Sequence, residues 1–290
     1  MSIGFFYNKL DWINRSVIKH LRTHNVNVEP ININTFTLDV HNKHIFKHKL
    51  YINRVYPSSN LYSFNNLRFM LEIIRHIENL GITVINPFDS AYADYSKTES
   101  NNILEKYDIP TPHTLLFSNT ESARRAAERI TFPRIIKMDA GGRAINIFCA
   151  NTKGEYSKII SKLGKEHLIH VEKFYKACKG YSTRLFILDY KFRYATKKTL
   201  VEGWIGNPAR GSKTLPYTDA PVAVRKLGED VAKVTKSEIL GLDIIETKQF
   251  PVVVDVNSTP VFHPHDVILA GFDPSEKIAD LIFSEYKKTG

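Results

Sequence analysis

The stretch Pro251-Val-Val-Val-Asp-Val-Asn-Ser-Thr-Pro260 constrains this chain more than any other. Three consecutive valines, strong strand formers, run straight into Asp255 and Asn257, and a Ser-Thr-Pro turn closes the run. Residues two apart on a strand point the same way, so Asp255 and Asn257 present a carboxylate and an amide oxygen side by side. An upstream run, Ile239-Leu-Gly-Leu-Asp-Ile-Ile-Glu246, carries Asp243 and is expected to form the neighbouring strand. Oxygen donors at adjacent strand positions suit Mg²⁺, which takes one or two carboxylates and completes its shell with substrate phosphates. Read alone, the stretch is equally a buried strand ending in a polar turn. What decides between the two is whether the rest of the chain supplies a nucleotide.

At 290 residues the chain exceeds one typical domain, which predicts two or three lobes, each able to bury a core. With 43% hydrophobic and 24% charged residues it reads as an ordinary soluble globular protein. A net charge of +10 favours anionic partners such as phosphorylated cofactors, acidic substrates or nucleic acid. The basic residues are scattered rather than gathered into a tail, and no recognition motif accompanies them, so nucleic acid is not the expected partner. Cys149 and Cys178 make no metal-ligand spacing and are too few for a disulfide scaffold, which predicts a reduced, cytoplasmic setting. The apolar start Met1–Asn8 reaches Lys9 and Asp11 too soon for a signal peptide. No apolar run approaches the roughly 20 residues of a membrane span.

In chain order, Ile3–Tyr7 reads as a strand, followed by a helix capped by Asp11, with Ile13, Val17, Ile18 and Leu21 on one face, ending near His24. Residues 25–36 alternate as a half-buried strand should, and Tyr51–Val55 is another strand. Phe64–Leu80 repeats apolar residues at helical spacing until Gly81 stops it, and Val84–Asn86 follows as a strand. This strand–helix alternation predicts an open, mostly parallel α/β layer over residues 1–95. Beyond it, Ser96 caps a helix to Tyr107, and a helix from Asn119 or Thr120 runs to Glu128. Helices are also expected from Gly154 to Leu163, from Pro221 to Glu238 and from Pro274 to Tyr286, with strands at Leu168–Tyr175, Ser182–Leu188 and Tyr190–Thr196. The span from Gly203 to Asp219 reads as a loop.

A second informative stretch is Phe132 to Phe148, where a strand ending at Lys137, a Gly141-Gly142 turn and a returning strand make a hairpin. Glycine lets backbone N–H groups approach phosphates and lysine supplies charge, although an ordinary hairpin turn satisfies the same residues. Neither the Walker A spacing nor a GxGxxG turn is present.

Six separated patches fall in an order that resembles the ATP-grasp superfamily, in its branch of amino-acid ligases related to ribosomal-protein S6 glutamate ligases and lysine-biosynthesis carrier-protein ligases. They are Leu67-Arg68 through Ile85-Asn86-Pro87, Lys97 through Pro112, Ile135-Ile-Lys137 with Gly141, Val171-Glu-Lys-Phe174, Asn207-Pro-Ala-Arg-Gly211 and Asp255-Val-Asn-Ser-Thr-Pro260. The resemblance implies a pre-ATP-grasp α/β domain over 1–95 and two lobes clasping ATP. The lobes would be a central one over 96–170 with the glycine-bearing lid loop and a C-terminal one over 171–290 with the metal site. It further implies ATP-dependent joining of a carboxylate to an amine through an acyl-phosphate, with a glutamate-like amino acid as one substrate. A D-alanine ligase-like dipeptide ligase and an ATP-binding protein without ligase activity are the alternatives. A homodimer or homotetramer is expected.

By the same resemblance, Lys97 and Lys137 hold the α- and β-phosphates under a lid carrying Gly141 and Gly142. Glu172 and the backbone of Lys173 and Phe174 pair with adenine. Arg184 and Arg210 bind the γ-phosphate and the acyl-phosphate, beside Asn207 in the phosphate and metal segment. Asp243, Asp255 and Asn257 hold two Mg²⁺ ions, with Mn²⁺ as a substitute. The pattern departs at Ser182, where relatives carry an acidic residue for the ribose, and at Ala144, where they carry glycine. It departs again at Val261-Phe-His-Pro-His-Asp266, where His263 and His265 either reach substrate or sit on a surface turn.

Overall fold

β1 (Ser2–Tyr7) and α1 (Trp12–Thr23) open the chain, and the Asp11 side chain caps α1 by accepting from Asn14 N–H at 3.2 Å. The computed structural model describes residues 2–57, 64–129, 131–138, 147–163, 168–206 and 211–289. β2 (Asn27–Asn32) is shorter than the alternation suggested. Asn25 takes a φ of +58° at the helix exit, and an Asx turn, Asn34 N–H to Asn32 Oδ1 at 3.0 Å, ends the strand. β3 (Leu50–Arg54), α2 (Phe64–Asn79) and β4 (Thr83–Ile85) complete a parallel sheet of order β2-β1-β3-β4.

Two helices link this layer to the next. α3 (Phe88–Tyr95), unanticipated, is too short to display a period, while α4 (Lys97–Lys106) starts where Ser96 Oγ accepts from Glu99 N–H at 3.2 Å. The second sheet is antiparallel and contains β5 (Thr114–Phe117), β6 (Arg134–Met138), β7 (Ile147–Ala150) and β8 (Ile169–Lys173) in the order β5-β8-β6-β7. α5 (Thr120–Arg125) and α6 (Lys153–Lys162) cover it through Ala123, Tyr156 and Ile160, which pack on Ile136, Ile169 and Val171. The division anticipated between residues 170 and 171 therefore falls inside β8.

The third sheet, also antiparallel, has the order β11-β10-β9-β12-β13. Its strands are β9 (Tyr181–Leu188), β10 (Lys191–Thr199), β11 (Thr214–Pro216), β12 (Ile239–Glu246) and β13 (Pro251–Asn257). β11 lies inside the expected loop, and β10 runs three residues beyond its expected end at Thr196. α7 (Val222–Val234) packs on this sheet and stops before the expected Glu238. Its chain turns back there, with Lys236 at φ +54° and Ser237 N–H donating to Ala232 O at 2.8 Å. α8 (Pro264–Ala270) replaces the anticipated turn, and α9 (Pro274–Lys288) lies against α1.

Among the described residues the expected α/β architecture is present as one parallel and two antiparallel sheets. The first and third sheets share a core: Ile3, Phe5, Ile13, Val17 and Leu21 pack with Phe186, Leu188, Ile239, Ile278 and Ile282, all buried. The middle sheet keeps its own apolar cluster.

Candidate active site

Strand register builds the site. Arg184 on β9 stands opposite Asp243 on β12, and Asp243 stands opposite Asp255 on β13, so three charged side chains form a row across three strands. Arg184 Nη1 lies 2.9 Å from Asp243 Oδ2, and Lys198 Nζ lies 2.9 Å from Asp243 Oδ1. Lys97, the first residue of α4, places its Nζ 2.5 Å from Asp255 Oδ1. Asn257, two residues on, donates to Gly241 O at 3.3 Å and to Asp255 Oδ2 at 3.4 Å. From the middle sheet Lys137 reaches over, 2.7 Å from Glu172 Oε2 and donating to Val254 O at 3.1 Å. Lys97, Asn101, Leu104, Glu172 and Asp255 line one cleft between α4, β8 and β13. Glycine is required at 241, since a Cβ there would stand 2.6 Å from Arg184 Nη2 and 2.9 Å from Pro260 Cβ.

The electrostatics follow from these distances. Burial by itself would raise the Asp243 carboxyl, but the Arg184 and Lys198 cations outweigh it and hold the group down at about 2. Asp255 is likewise lowered, with Lys97 overcoming burial. Burial pushes the Lys198 ammonium down from its ordinary value, against the opposing pull of Asp243. Lys97 and Arg184 go the other way: burial would lower each, and the adjacent carboxylate raises it. Both carboxylates are thus ionised over the whole physiological range, with cations as their present partners.

Such a donor set fits Mg²⁺ delivered with a polyphosphate. Two carboxylates and an amide make a poor all-protein cage, and among the described residues no group of three His, Cys, Asp or Glu is arranged to hold a metal. Two hard anionic oxygens beside four cations match an ion that keeps phosphate oxygens and water in its shell.

The expected residues divide as follows. Lys97, Lys137, Glu172, Arg184, Asp243, Asp255 and Asn257 meet in this site. Gly141, Gly142, Asn207 and Arg210 lie outside the described residues. Lys173 is exposed, and its N–H donates to His113 O at 2.9 Å, so this group is not free for adenine; Phe174 is half-buried beside it. Ser182 is buried, and a Cβ on Gly206 would stand 2.1 Å from its hydroxyl. His263 and His265 are exposed at the start of α8, where His263 N–H donates to Asp266 Oδ2 at 2.6 Å. Lys198 escaped the sequence reading because β10 was expected to end at Thr196. Its period-two relation to Thr196, which pairs with Arg184, was the available signal.

The model of the RimK-like ATP-grasp domain matches residues 94–282. The chain belongs to the RimK-like ATP-grasp family. A probable alpha-L-glutamate ligase of Vibrio atlanticus is 26% identical over 220 residues, which cover 74% of this chain and 71% of that protein. Another of the same description, from Shewanella halifaxensis, is 23% identical over 211 residues, covering 72% of this chain and 44% of the relative. The chain therefore spans less than half of the second protein. The crystal structure of a RimK-domain ATP-grasp protein from Sphaerobacter thermophilus superposes with a TM-score of 0.76 at 18% identity, covering 97% of this chain and 99% of that one. This match confirms the ATP-grasp fold, and the family match takes in every site residue from Lys97 to Asn257. No helix among the described residues is long and apolar enough to cross a membrane.

Proposed function

We propose that this ATP-grasp chain is an ATP-dependent carboxylate–amine ligase that adds a glutamate-like amino acid to a small molecule, peptide or protein terminus. The observation that carries the reading is the meeting of Lys97, Lys137, Arg184 and Lys198 with Asp243, Asp255 and Asn257 where the second and third sheets face each other. Phosphoryl transfer asks a protein chiefly for positioning and charge neutralisation, and this set offers both.

In the proposed reaction a substrate carboxylate oxygen attacks the γ-phosphorus of ATP and ADP leaves. An amine then attacks the acyl carbon of the resulting acyl-phosphate, and phosphate leaves with the amide formed. Lys97 and Lys137 orient the α- and β-phosphates. Arg184 and Lys198, released from Asp243, neutralise the transferring phosphoryl group and hold the acyl-phosphate for the amine, together with Arg210. Asp243, Asp255 and Asn257 would hold Mg²⁺, two ions in our reading and replaceable by Mn²⁺, which lowers the charge repulsion between attacking oxygen and phosphate. Glu172, which lines the cleft with Leu104, would face the adenine edge.

ADP release measured with Mg²⁺ across a panel of carboxylates and amino acids, with mass spectrometry of the product, tests the reading. Turnover that needs both a carboxylate and an amino acid supports it. ATP binding with no stimulation by any pair overturns it in favour of a nucleotide-binding protein.

A further inference from the structure

β13 carries Asp255 and Asn257 and is the edge strand of its sheet, paired with β12 on one side, while off that ladder Val253 N–H donates to Pro110 O at 2.8 Å and Val254 O accepts from Lys137, both upstream of Asn257. The end of an edge strand frays unless something else holds it. Here three buried polar side chains outside the third sheet grip the residues that follow Asn257. Asp94, in the last turn of α3, receives hydrogen bonds from Ser258 Oγ at 2.9 Å and from Thr259 N–H and Oγ1 at 3.0 Å each, all on its Oδ2. Asn86, after β4, donates to Ser258 O and to Ile239 O, both at 2.7 Å, and accepts from Ile239 N–H at 3.0 Å, which joins β12 to the same turn. Arg54, fully buried at the end of β3, donates to Pro260 O at 2.8 Å. Each of the three turn residues is thus tied to the first sheet or its helix.

Burying these groups is expensive, and Asp94 shows it: burial raises its carboxyl to about 6 despite the hydroxyl and amide donors. An apolar turn would cost less, so the arrangement calls for a role. Spacing supplies one. Asp94 and Lys97 are three residues apart and hold β13 at Asp255 and the turn after it at Ser258–Thr259, on either side of Asn257.

We propose that Asp94, supported by Asn86 and Arg54, is a positioning residue that fixes the Asn257 end of the edge strand, so that Mg²⁺-dependent nucleotide affinity is set by a carboxylate touching neither metal nor nucleotide. The inference rests on the ligase reading only in taking Asp255 and Asn257 as metal donors. Partners that orient metal ligands typically account for roughly 10- to 100-fold in metal affinity.

The test is calorimetric binding of ADP with and without MgCl₂ to the full chain, with the melting temperature of each protein. Asp94→Ala should weaken ADP binding in Mg²⁺ by roughly 10-fold or more while leaving Mg²⁺-free binding unchanged. Asp94→Asn should recover part of the loss, because its amide oxygen can accept two of the three bonds. A purely structural Asp94 would lower the melting temperature in both variants without touching the Mg²⁺-dependent part, which overturns the proposal. So does an asparagine variant as impaired as alanine, which makes the charge itself the requirement. If Asp94→Ala does not fold, the Ser258→Ala/Thr259→Val pair removes two of the three donors from the other side and is read identically. A wild-type chain that binds ADP equally with and without Mg²⁺ overturns the metal reading and this proposal with it, whereas a Mg²⁺-responsive wild type with an unaffected Asp94→Ala overturns the proposal alone.

Discussion

Mg²⁺ binding to the nucleotide-free protein tests the charge arrangement of the site directly. Lys97, Lys137, Arg184 and Lys198 face Glu172, Asp243 and Asp255, so the cluster carries one net positive charge before any ligand arrives. A divalent cation entering alone meets that excess and competes with Arg184 and Lys198 for Asp243, and with Lys97 for Asp255. A polyphosphate reverses both effects by giving the cations new partners and freeing the carboxylates. Lys198→Met isolates one contribution, removing one of the two cations that stand 2.9 Å from Asp243. A unit charge ~4 Å away is worth about 4 kcal/mol at an effective dielectric near 20. Solvent and the remaining Arg184 reduce this to about 2 kcal/mol, or ~30-fold tighter Mg²⁺ binding in the variant without nucleotide. Calorimetric titration with MgCl₂ at fixed ionic strength, with and without ADP, measures it. For the wild type, ADP should strengthen Mg²⁺ binding by ~100-fold, and linkage requires Mg²⁺ to strengthen ADP binding by the same factor. Equal Mg²⁺ affinity with and without ADP, or a Lys198→Met variant that binds Mg²⁺ no more tightly, would refute the reasoning.

Other consequences are open to direct measurement. Asp255→Ala should abolish ADP release while far-ultraviolet circular dichroism stays that of the wild type; retained turnover removes Asp255 from the metal site. Gly241→Ala forces a Cβ to within 2.6 Å of Arg184 Nη2 and should depress turnover, with about 1–3 kcal/mol of lost stability by denaturant titration. Glu238 is raised to about 7, first by burial and then by Glu285 and Asp189. Its folded pKa exceeds the unfolded one, so the penalty is absent below about pH 4.5, grows as pH rises and is complete above about 7. Glu238→Gln should therefore raise the melting temperature at pH 8, for at most about 3 kcal/mol, and leave it unchanged at pH 4.5.

β13 was legible because period-two alternation and valine propensity act over a few residues, and Asp243 and Asp255 then pair by register. The start of the helix that carries Lys97 was legible through the Ser96 cap, while Lys97 itself stood out only through the family resemblance. Lys198 was not, since where a strand ends depends on what pairs with it, and β10 is extended by β11, a three-residue strand with no sequence signal of its own. α3 and α8 were missed for a related reason: seven- or eight-residue helices are held by tertiary contacts rather than by their own periodicity. Nothing around Asp94 distinguished it from a surface aspartate, because its partners lie over 160 residues away.

The apolar core shared by α1 and α9 also bears on how the chain is made. Ile13, Val17 and Leu21 lie on α1, in one core with Ile3 and Phe5 of the first sheet, yet Ile278, Leu281 and Ile282 of α9, which pack with them, come near the other end of the described residues. A nascent chain still on the ribosome has therefore completed β1 to β4 well before it possesses the helix that covers them. Domains often fold during synthesis in the order they emerge, and the first sheet must instead wait with one apolar face open. The apolar cluster of the middle sheet, among the described residues, is drawn from residues 115–171. The order of folding on the ribosome is thus expected to be the second sheet first and the first sheet last, a period in which α1 is a natural target for a chaperone.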